Sequence, residues 1–281
     1  MRIASFIDGE TVSYGLVKDG GIIDAGARFG GQPLEAILPD LTRLGELSAL
    51  SPDVALSDVS LLPPVPNSGR IVCVGLNYKT HIEETGNATP PYPILFPRYP
   101  SSLVGHDAPL VKPRVSERFD FEGELAVIVG KGGRHIPAAR ALDHVAGYAC
   151  FNDGSIRDFQ RHTSQFMPGK NFDRSGSFGP WLVTPDEAGD VNALTLTTRL
   201  NGRIMQQSGI DDLLFGVEAL IAYMSQIWEI RPGDVIATGT AGGVGAAREP
   251  QLWMRPGDRI EVEIDRLGIL ANTIIEEEKE R

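Results

Sequence analysis

Short apolar runs, separated by turns rich in glycine and proline, dominate the pattern of this 281-residue chain. Near its start, RIASFI, TVSYGLV and IIDA are joined by the turn sequences DGE and KDGG, which predicts a meander of three strands. Residues 34–50 have apolar positions at helical spacing, interrupted by Pro39 and Gly45. Short helices are therefore predicted there.

A proline-rich segment follows, LLPPVPNSG at residues 61–69. Because closely spaced prolines end any helix, this segment predicts an extended connector. We expect a boundary near residue 66, between a small N-terminal domain (1–66) and a larger domain (67–281).

The larger domain contains more predicted strands than helices. The strand candidates are RIVCVG, GELAVIVG, HVAGYACFND, LTLTTRLNG, DVIATG and RIEVEI. One long amphipathic helix is predicted from about Asp211 to Trp228, with Asp211 or Asp212 as its N-cap. Because strands and helices do not alternate regularly, the pattern indicates a mixed, β-rich α+β fold rather than a doubly wound sheet.

The composition limits the kinds of molecule that this chain is expected to bind. With 42% hydrophobic and 22% charged residues, the chain can bury a full core. Its 37 Asp+Glu against 26 Lys+Arg give a net charge of -11, which argues against nucleic acid or an anionic membrane as a partner. We expect a small-molecule partner and a cytoplasmic location, because the N-terminus lacks a signal-peptide pattern and Cys73 and Cys150 lie in apolar, strand-like segments.

Acidic residues recur at every second position at the start of FDFEGELAVIVG, residues 119–130. Because strand side chains alternate, Asp120, Glu122 and Glu124 should point to one face. Carboxylates crowded on one face are costly to bury unless a cation lies among them, although the pattern alone is also typical of a solvated edge. If Asp153 joins Glu122 and Glu124, three oxygen ligands predict Mg2+, with Mn2+ as the alternative, rather than Zn2+.

A second group, His81 and Glu84, follows the apolar strand RIVCVG. Positions i and i+3 share one face of a helical turn, so Glu84 can orient the imidazole while its other nitrogen deprotonates water. A lone His-x-x-Glu pair is also common on surfaces. The neighbouring TGNATPPYP favours a movable, functional segment.

A third group supplies hydrogen-bond donors. A helix starting at Gly154 would place Arg157 and Gln160 on the face of Asp153, where they could meet a developing oxyanion or a substrate carboxylate. The glycine-rich ATGTAGGVG, residues 237–245, lacks the GxxxxGK[ST] pattern of a phosphate loop. Its backbone amides near Gly239 and the Thr240 hydroxyl are predicted to bind a substrate carboxylate instead.

Six ordered segments together resemble the fumarylacetoacetate hydrolase family over about residues 67–275: VGLNYKTHIEET, SSLVGHDAPL, DFEGELAVIVGK, NDGSIRDFQR, GKNFDRSGSFGPWLV and RPGDVIATGTAGGVG. The resemblance implies mixed β-sheets rolled around a central cavity, a small N-terminal α/β domain and a homodimer. It also implies a Mg2+ ion held by an E-x-E pair and a later aspartate. The short N-terminal domain is more similar to the small bacterial acylpyruvase-like branch.

Transferred by position, the resemblance gives roles to ten residues of this sequence. The metal ligands are Glu122, Glu124 and Asp153, the water-activating dyad is His81 and Glu84, the polarising donors are Arg157, Gln160 and Lys170, and the substrate-binding residues are Thr240 and Gly239. The dyad is expected to lie on a lid that becomes ordered when substrate binds.

These roles imply a Mg2+-dependent hydrolase that cleaves a carbon–carbon bond in a 2,4-dioxo acid of the acylpyruvate or fumarylpyruvate type. The acid would chelate the ion through its 1-carboxylate and 2-oxo group, and pyruvate enolate would leave after hydroxide attacks the 4-oxo carbon. Two other reactions of a 2-oxo acid stay open: decarboxylation of oxaloacetate, and isomerisation of a 2-hydroxy-diene-dioate in aromatic catabolism. A catalytically silent metal-binding dimer is a further alternative.

Overall fold

Strands predominate in the computed structural model, which describes residues 1–86 and 88–278. The strands are β1 Arg2–Asp8, β2 Thr11–Lys18, β3 Gly21–Asp24, β4 Val54–Ala55, β5 Ser60–Leu61, β6 Ile71–Gly75, β7 Ile94–Arg98, β8 Leu103–Val104, β9 Leu110–Lys112, β10 Phe119–Asp120, β11 Gly123–Val129, β12 Val145–Asn152, β13 Ser155–Ile156, β14 Gly176–Val183, β15 Thr195–Leu200, β16 Arg203–Gly209, β17 Val235–Thr240, β18 Arg259–Ile264 and β19 Gly268–Glu276. The helices are α1 Ala25–Arg28, α2 Leu34–Ile37, α3 Thr42–Glu46, α4 Lys79–Thr85, α5 Arg157–Gln160, α6 Met167–Lys170, α7 Pro185–Ala188 and α8 Val217–Ile227.

Two mixed sheets and a short two-stranded ladder organise these strands. Within the described residues, the largest sheet has the order β4-β3-β2-β1-β14-β12-β11-β17-β6-β7, with β5 paired to β1 and β8 paired to β14. The second sheet has the order β16-β15-β18-β19-β9, and β10 pairs with β13. The predicted mixed, β-rich α+β fold is confirmed, and all six predicted strands are present.

Strand β11 lies at the centre of the molecule and is buried on both faces, which explains its unbroken apolar sequence after Glu124. Its odd-numbered residues from Leu125 to Val129 pack into a core shared with α8 and the second sheet. Ala126 and Ile128 face the opposite way, into a core shared with α1, α2 and α3. The large sheet is therefore covered on both sides.

Strand directions bring several chain segments to one edge of this sheet. Strand β11 runs antiparallel to β12 and β17, and β17 runs parallel to β6. The start of β11 therefore lies beside the ends of the other three strands, where Glu124 pairs with Phe151 and Thr240. Asp153 follows β12 and His81 lies shortly after β6, so both belong to this edge.

The N-terminal segment forms the predicted meander of β1, β2 and β3, followed by short helices. Strand β1 also pairs antiparallel with β14, so strands on both sides of residue 66 belong to one sheet. The division into domains 1–66 and 67–281 stays a prediction. Cys73 and Cys150 are buried free thiols, as the sequence predicts.

The long amphipathic helix begins later than predicted. Helix α8 starts at Val217 with Gly216 as its N-cap, so the predicted start and cap at Asp211 or Asp212 are wrong. The preceding residues bind the segment before α4 instead: Leu213 forms a β-bridge with Tyr78, and the Leu214 N–H donates to the Asn77 carbonyl at 2.7 Å. Among the described residues, none of the helices has the length and apolar character required to cross a membrane.

Candidate active site

Three carboxylates, those of Glu122, Glu124 and Asp153, meet at the sheet edge and are called here the acidic triad. One oxygen from each residue lies within 4.8 Å of the others, and all three side chains are buried. The ladder enforces this approach, because Gly123 pairs with Asn152 and the Asp153 N–H donates to the Glu122 carbonyl at 2.8 Å. The structure therefore brings the three predicted metal ligands together.

Buried cations neutralise two members of the acidic triad. The Lys170 Nζ lies 2.6 Å from both Glu122 Oε2 and Asp153 Oδ2. Arg98 Nη1 donates to Asp153 Oδ1 at 2.6 Å, and Arg157 Nη1 lies 2.5 Å from Glu122 Oε1. Burial alone would raise the pKa of Glu122, but the charges of Arg157 and Lys170 lower it to about 2.

The third member, Glu124, has a different environment. It accepts the backbone N–H of Gly239 at 2.9 Å and forms no ion pair within the described residues. Burial, together with the charges of Asp153 and Glu122, raises the pKa of Glu124 well above its usual range. A negative charge on Glu124 would therefore be the least compensated of the three.

The predicted dyad lies on helix α4, at the i and i+3 positions. His81 Nδ1 is 3.3 Å from Glu84 Oε2, and the imidazole is buried. The Glu84 carboxylate also accepts the backbone N–H of Gly243, with 3.0 Å to each oxygen. Glu84 is therefore anchored to a neighbouring loop as well as to the histidine.

Arg157 and Gln160 lie beside the triad, but the local structure differs from the prediction. Helix α5 begins at Arg157, and the predicted helix from Gly154 is wrong because residues 155–156 pair with β10 as a short strand. Arg157 Nη1 donates to Gln160 Oε1 at 3.0 Å. Its Nη2 is buried with no hydrogen-bond partner within the described residues, which is unusual for a buried donor.

Asp120 was expected to share a face with Glu122 and Glu124, but the alternation does not run through one strand. Strand β10 ends at Asp120 and β11 begins at Gly123. The Asp120 carboxylate is fully buried outside the triad and accepts from Arg157 Nε at 2.7 Å. It therefore contacts a site residue without belonging to the ligand cluster.

The glycine-rich loop, residues 239–247, contacts protein groups where a substrate carboxylate was predicted. The Thr240 hydroxyl donates to the Gly123 carbonyl at 2.9 Å and accepts from Gln206 Nε2 at 2.8 Å. The Gly239 N–H is used by Glu124. Substrate binding by Thr240 and Gly239 stays a prediction.

One cavity of about 590 Å³ connects these groups. Nine of the ten predicted residues line it, and Gly239 is the exception: the nine are His81, Glu84, Glu122, Glu124, Asp153, Arg157, Gln160, Lys170 and Thr240. Its apolar wall includes Leu76, Phe96 and Phe166. The volume falls in the range of small-molecule sites.

Sequence reasoning missed Arg98 and Arg161. Arg98 lies in the otherwise apolar ILFPR of β7 and is fully buried against Asp153, and a lone arginine in such a strand is the signal that could have indicated a buried acidic partner. Arg161 directly follows Gln160 and lines the cavity. Its position next to the predicted donor Gln160 could have indicated that it belongs to the site.

Comparison with known proteins gives the same family as the motifs. Residues 70–275 match the family model described as fumarylacetoacetate (FAA) hydrolase C-terminal. The human protein named oxaloacetate tautomerase FAHD2A, mitochondrial, is 41% identical over 231 residues, which are 82% of this chain and 74% of that protein.

Solved structures agree over nearly the full length. A putative HpcE protein from Mycobacterium smegmatis has a TM-score of 0.89 at 31% identity, covering 99% of this chain and 100% of that one. Maleylpyruvate hydrolase from Sphingobium sp. SYK-6, solved with manganese (II) ion and pyruvate, has a TM-score of 0.83 at 30% identity with the same coverage. The named activities of these relatives differ, but the family model matches residues 70–275 and the folds agree over nearly the whole chain. This chain belongs to the fumarylacetoacetate hydrolase family.

Proposed function

We propose that this chain is a divalent-metal-dependent hydrolase that cleaves a carbon–carbon bond in a 2,4-dioxo acid, releasing pyruvate and a carboxylic acid. The observation that carries the proposal is that the His81–Glu84 dyad and the acidic triad line the same cavity. A base with an orienting carboxylate beside a cluster of oxygen ligands is the combination that hydrolysis of such an acid requires.

The residues of the triad fit a divalent cation. At this site, four buried carboxylates, those of the triad and Asp120, lie beside three buried cations, Arg98, Arg157 and Lys170. Glu124 has no cationic partner among the described residues, and burial and its acidic neighbours raise its pKa, so a bound cation would favour its carboxylate form. An all-oxygen donor set favours Mg2+ or Mn2+, and the Sphingobium hydrolase contains manganese.

Glu122, Glu124 and Asp153 would hold the ion, which when bound would act as a Lewis acid on the carboxylate and 2-oxo group of the substrate. His81, oriented by Glu84, would remove a proton from the attacking water. Arg157, which lines the cavity, would donate to a substrate oxygen. Each donor aimed at a developing oxyanion contributes on the order of 3 kcal/mol.

A second candidate, tautomerisation of oxaloacetate, is favoured by the 41% identity with the human protein of that name. The same residues could perform it, since His81 would move a proton between carbon and oxygen of the substrate instead of activating water. Tautomerisation moves a proton and shifts a double bond, but it cleaves no carbon–carbon bond. The two candidates therefore differ in their products.

A pair of assays with Mg2+ tests the proposal. Acetylpyruvate or fumarylpyruvate should yield pyruvate in a coupled assay, and a chelator or Glu124→Gln should abolish the signal. Loss of the ultraviolet absorbance of enol-oxaloacetate without pyruvate would establish the second candidate instead. If neither substrate reacts in the presence of Mg2+ or Mn2+, both candidates are wrong.

A further inference from the structure

The backbone N–H groups of the glycine-rich loop bind three carboxylates of the protein itself. The contacts are Gly239 N to Glu124 at 2.9 Å, Gly243 N to both oxygens of Glu84 at 3.0 Å, Gly245 N to Asp120 at 2.7 Å and Ala246 N to Asp120 at 2.9 Å. One short segment thus contacts a triad ligand, the partner of the catalytic histidine and a carboxylate outside the cavity. Backbone amides bind anions well when successive N–H groups point the same way.

Glycine makes these contacts sterically feasible. Gly239 and Gly243 have φ of +103° and +99°, a region that other residues rarely adopt. A Cβ on Gly243 would lie 2.2 Å from the Met205 carbonyl oxygen, and one on Gly245 would lie 1.9 Å from the Leu252 carbonyl oxygen. The loop is therefore packed too closely for side chains at these positions.

Asp120 connects this loop to Arg157, one of the predicted hydrogen-bond donors. Its carboxylate is fully buried and accepts Arg157 Nε at 2.7 Å in addition to the two loop amides. Arg157 in turn lies 2.5 Å from Glu122 and keeps Nη2 unpartnered within the described residues. Asp120 does not line the cavity, so it can act only through the groups that it holds.

We propose that Asp120 is a positioning residue that fixes Arg157 and the glycine-rich loop together, and through the loop aligns the His81–Glu84 dyad with the acidic triad. The inference rests on the proposed function, because it assigns Asp120 a role in that reaction. Misplacing a reacting group by about 1 Å can lower a rate on the order of 100-fold, so such alignment has a measurable effect.

Asp120→Asn is the first variant. An amide offers one acceptor oxygen, so either Arg157 or the loop must face an N–H donor. We expect kcat/KM to fall on the order of 100-fold, while the apparent affinity for Mg2+ changes by less than about tenfold. Asp234→Asn is the matched control, because Asp234 is also buried beside an arginine, Arg70, and a backbone N–H but lies outside the cavity.

Ala246→Pro tests the same contact without removing a buried charge. The Ala246 N–H donates to Asp120, and Ala246 lies in the first turn of the 3-10 helix Gly245–Ala247, the part of a helix where proline is best accommodated. We expect a loss of about tenfold in kcat/KM with unchanged Mg2+ affinity. If Asp120→Asn fails to fold, this variant decides, and activity within threefold of wild type would overturn the proposal.

A double-mutant cycle with Glu84→Gln tests the link to the dyad. Once Glu84 is changed, disturbing its anchor should matter little, so Asp120→Asn should lower kcat/KM by less than about fivefold further. Losses that multiply in the double variant would mean that Asp120 acts independently of the dyad, which overturns the proposal.

Hydrogen exchange separates this inference from the proposed reaction. In Asp120→Asn, amides of residues 239–247 and of helix α4 should exchange at least tenfold faster than in Asp234→Asn. Unchanged exchange in α4 would refute the link whatever the activity. If wild type is inactive on every 2-oxo acid but exchange in α4 accelerates as expected, the proposed function fails while the linkage through Asp120 stands.

Discussion

Lys170 lies where two carboxylates of the acidic triad converge, with its Nζ 2.6 Å from both Glu122 Oε2 and Asp153 Oδ2. Burial alone would lower its pKa, but the charges of Asp153 and Glu122 raise it. The lysine therefore remains charged and limits the repulsion within the triad. A metal ion at Glu124 would share this task, because both cations act on the same acids.

Lys170→Met should make folding dependent on metal. Without Mg2+, two buried carboxylates lose a partner, and the free energy of unfolding should fall by about 3–5 kcal/mol. Saturating Mg2+ should recover part of this loss, so the rise of Tm with Mg2+ should be larger than in wild type. Lys112→Met, another buried lysine with acidic partners, is the control and should not increase the effect of Mg2+. An equal Mg2+ effect in wild type and Lys170→Met would contradict the prediction.

Arg161 bears on which acid the cavity accepts. It lines the cavity and its side chain forms no hydrogen bond or ion pair within the part of the chain that the structure describes. A second substrate carboxylate would supply that partner. Arg161→Gln should lower kcat/KM for a dicarboxylic 2-oxo acid about tenfold relative to a monocarboxylic one. Steady-state rates with oxaloacetate or fumarylpyruvate against acetylpyruvate measure the ratio, and an unchanged ratio would remove Arg161 from substrate selection.

The site residues that the sequence predicts well are those whose geometry is local. Glu122 and Glu124 are two residues apart in the extended segment where β11 begins, and His81 and Glu84 share one helical turn, so spacing alone places each pair. The bond from Arg98 to Asp153 spans 55 residues and depends on how β7 and β12 are arranged in the sheet. No local pattern contains that information.

Helix α4 carries the dyad, and the segment before it is anchored by Asn77. The Asn77 amide donates to the carbonyls of Phe215 and Thr238 at 3.0 and 2.7 Å, and its oxygen accepts the Phe215 N–H at 2.9 Å. These bonds connect the start of the dyad segment to the approach of α8 and to β17. The same contacts explain why α8 cannot extend to Asp211.

Asn77→Ala should weaken both the fold and the reaction. One buried and two partly buried backbone groups lose their partner, and the free energy of unfolding should fall by about 2–4 kcal/mol in denaturant titrations. Activity at saturating Mg2+ should fall as well, because α4 loses its anchor. Asn272→Ala is the control, since Asn272 also donates to one buried and one partly buried carbonyl but in a distant strand. It should lose stability without a change in kcat. Equal kcat values for both variants would contradict this account.

Element boundaries show where local pattern is insufficient. The predicted strands have apolar sequences that are sufficient to identify them, whereas β14, with the sequence GSFGPWLV, contains glycines and a proline that are more typical of a loop. It is a strand because β1 and β12 pair with it on either side. The helix expected from Gly154 is lost for a similar reason, since β10 pairs with residues 155–156.

At the scale of the whole molecule, the N-terminal meander completes the large sheet. Ile3, Leu16 and Leu38 share a core with Ala126 and Ile128 of the central strand. The meander also covers one edge of β14 through the pairing of β1. The residues before 67 are thus part of the packing beneath the cavity.

A fragment of residues 67–281 should therefore be poorly soluble. Removing the meander opens the hydrogen-bonding edge of β14 and uncovers the apolar face that β11 presents to it. Light scattering and yield of soluble protein, compared with the full chain, measure the effect. A monodisperse fragment with the Tm of the full chain would instead establish 1–66 as an independent domain.

The pairing of β1 with β14 limits how far this chain can be shortened in protein design. The family match begins at residue 70. The sheet within that matched region nevertheless includes β1, in which Arg2 pairs with Val183 of β14. The region that matches the family is therefore shorter than the region needed to complete the sheet. A design that transfers the cavity to another scaffold would have to include β1, or a designed strand that pairs with β14 in its place.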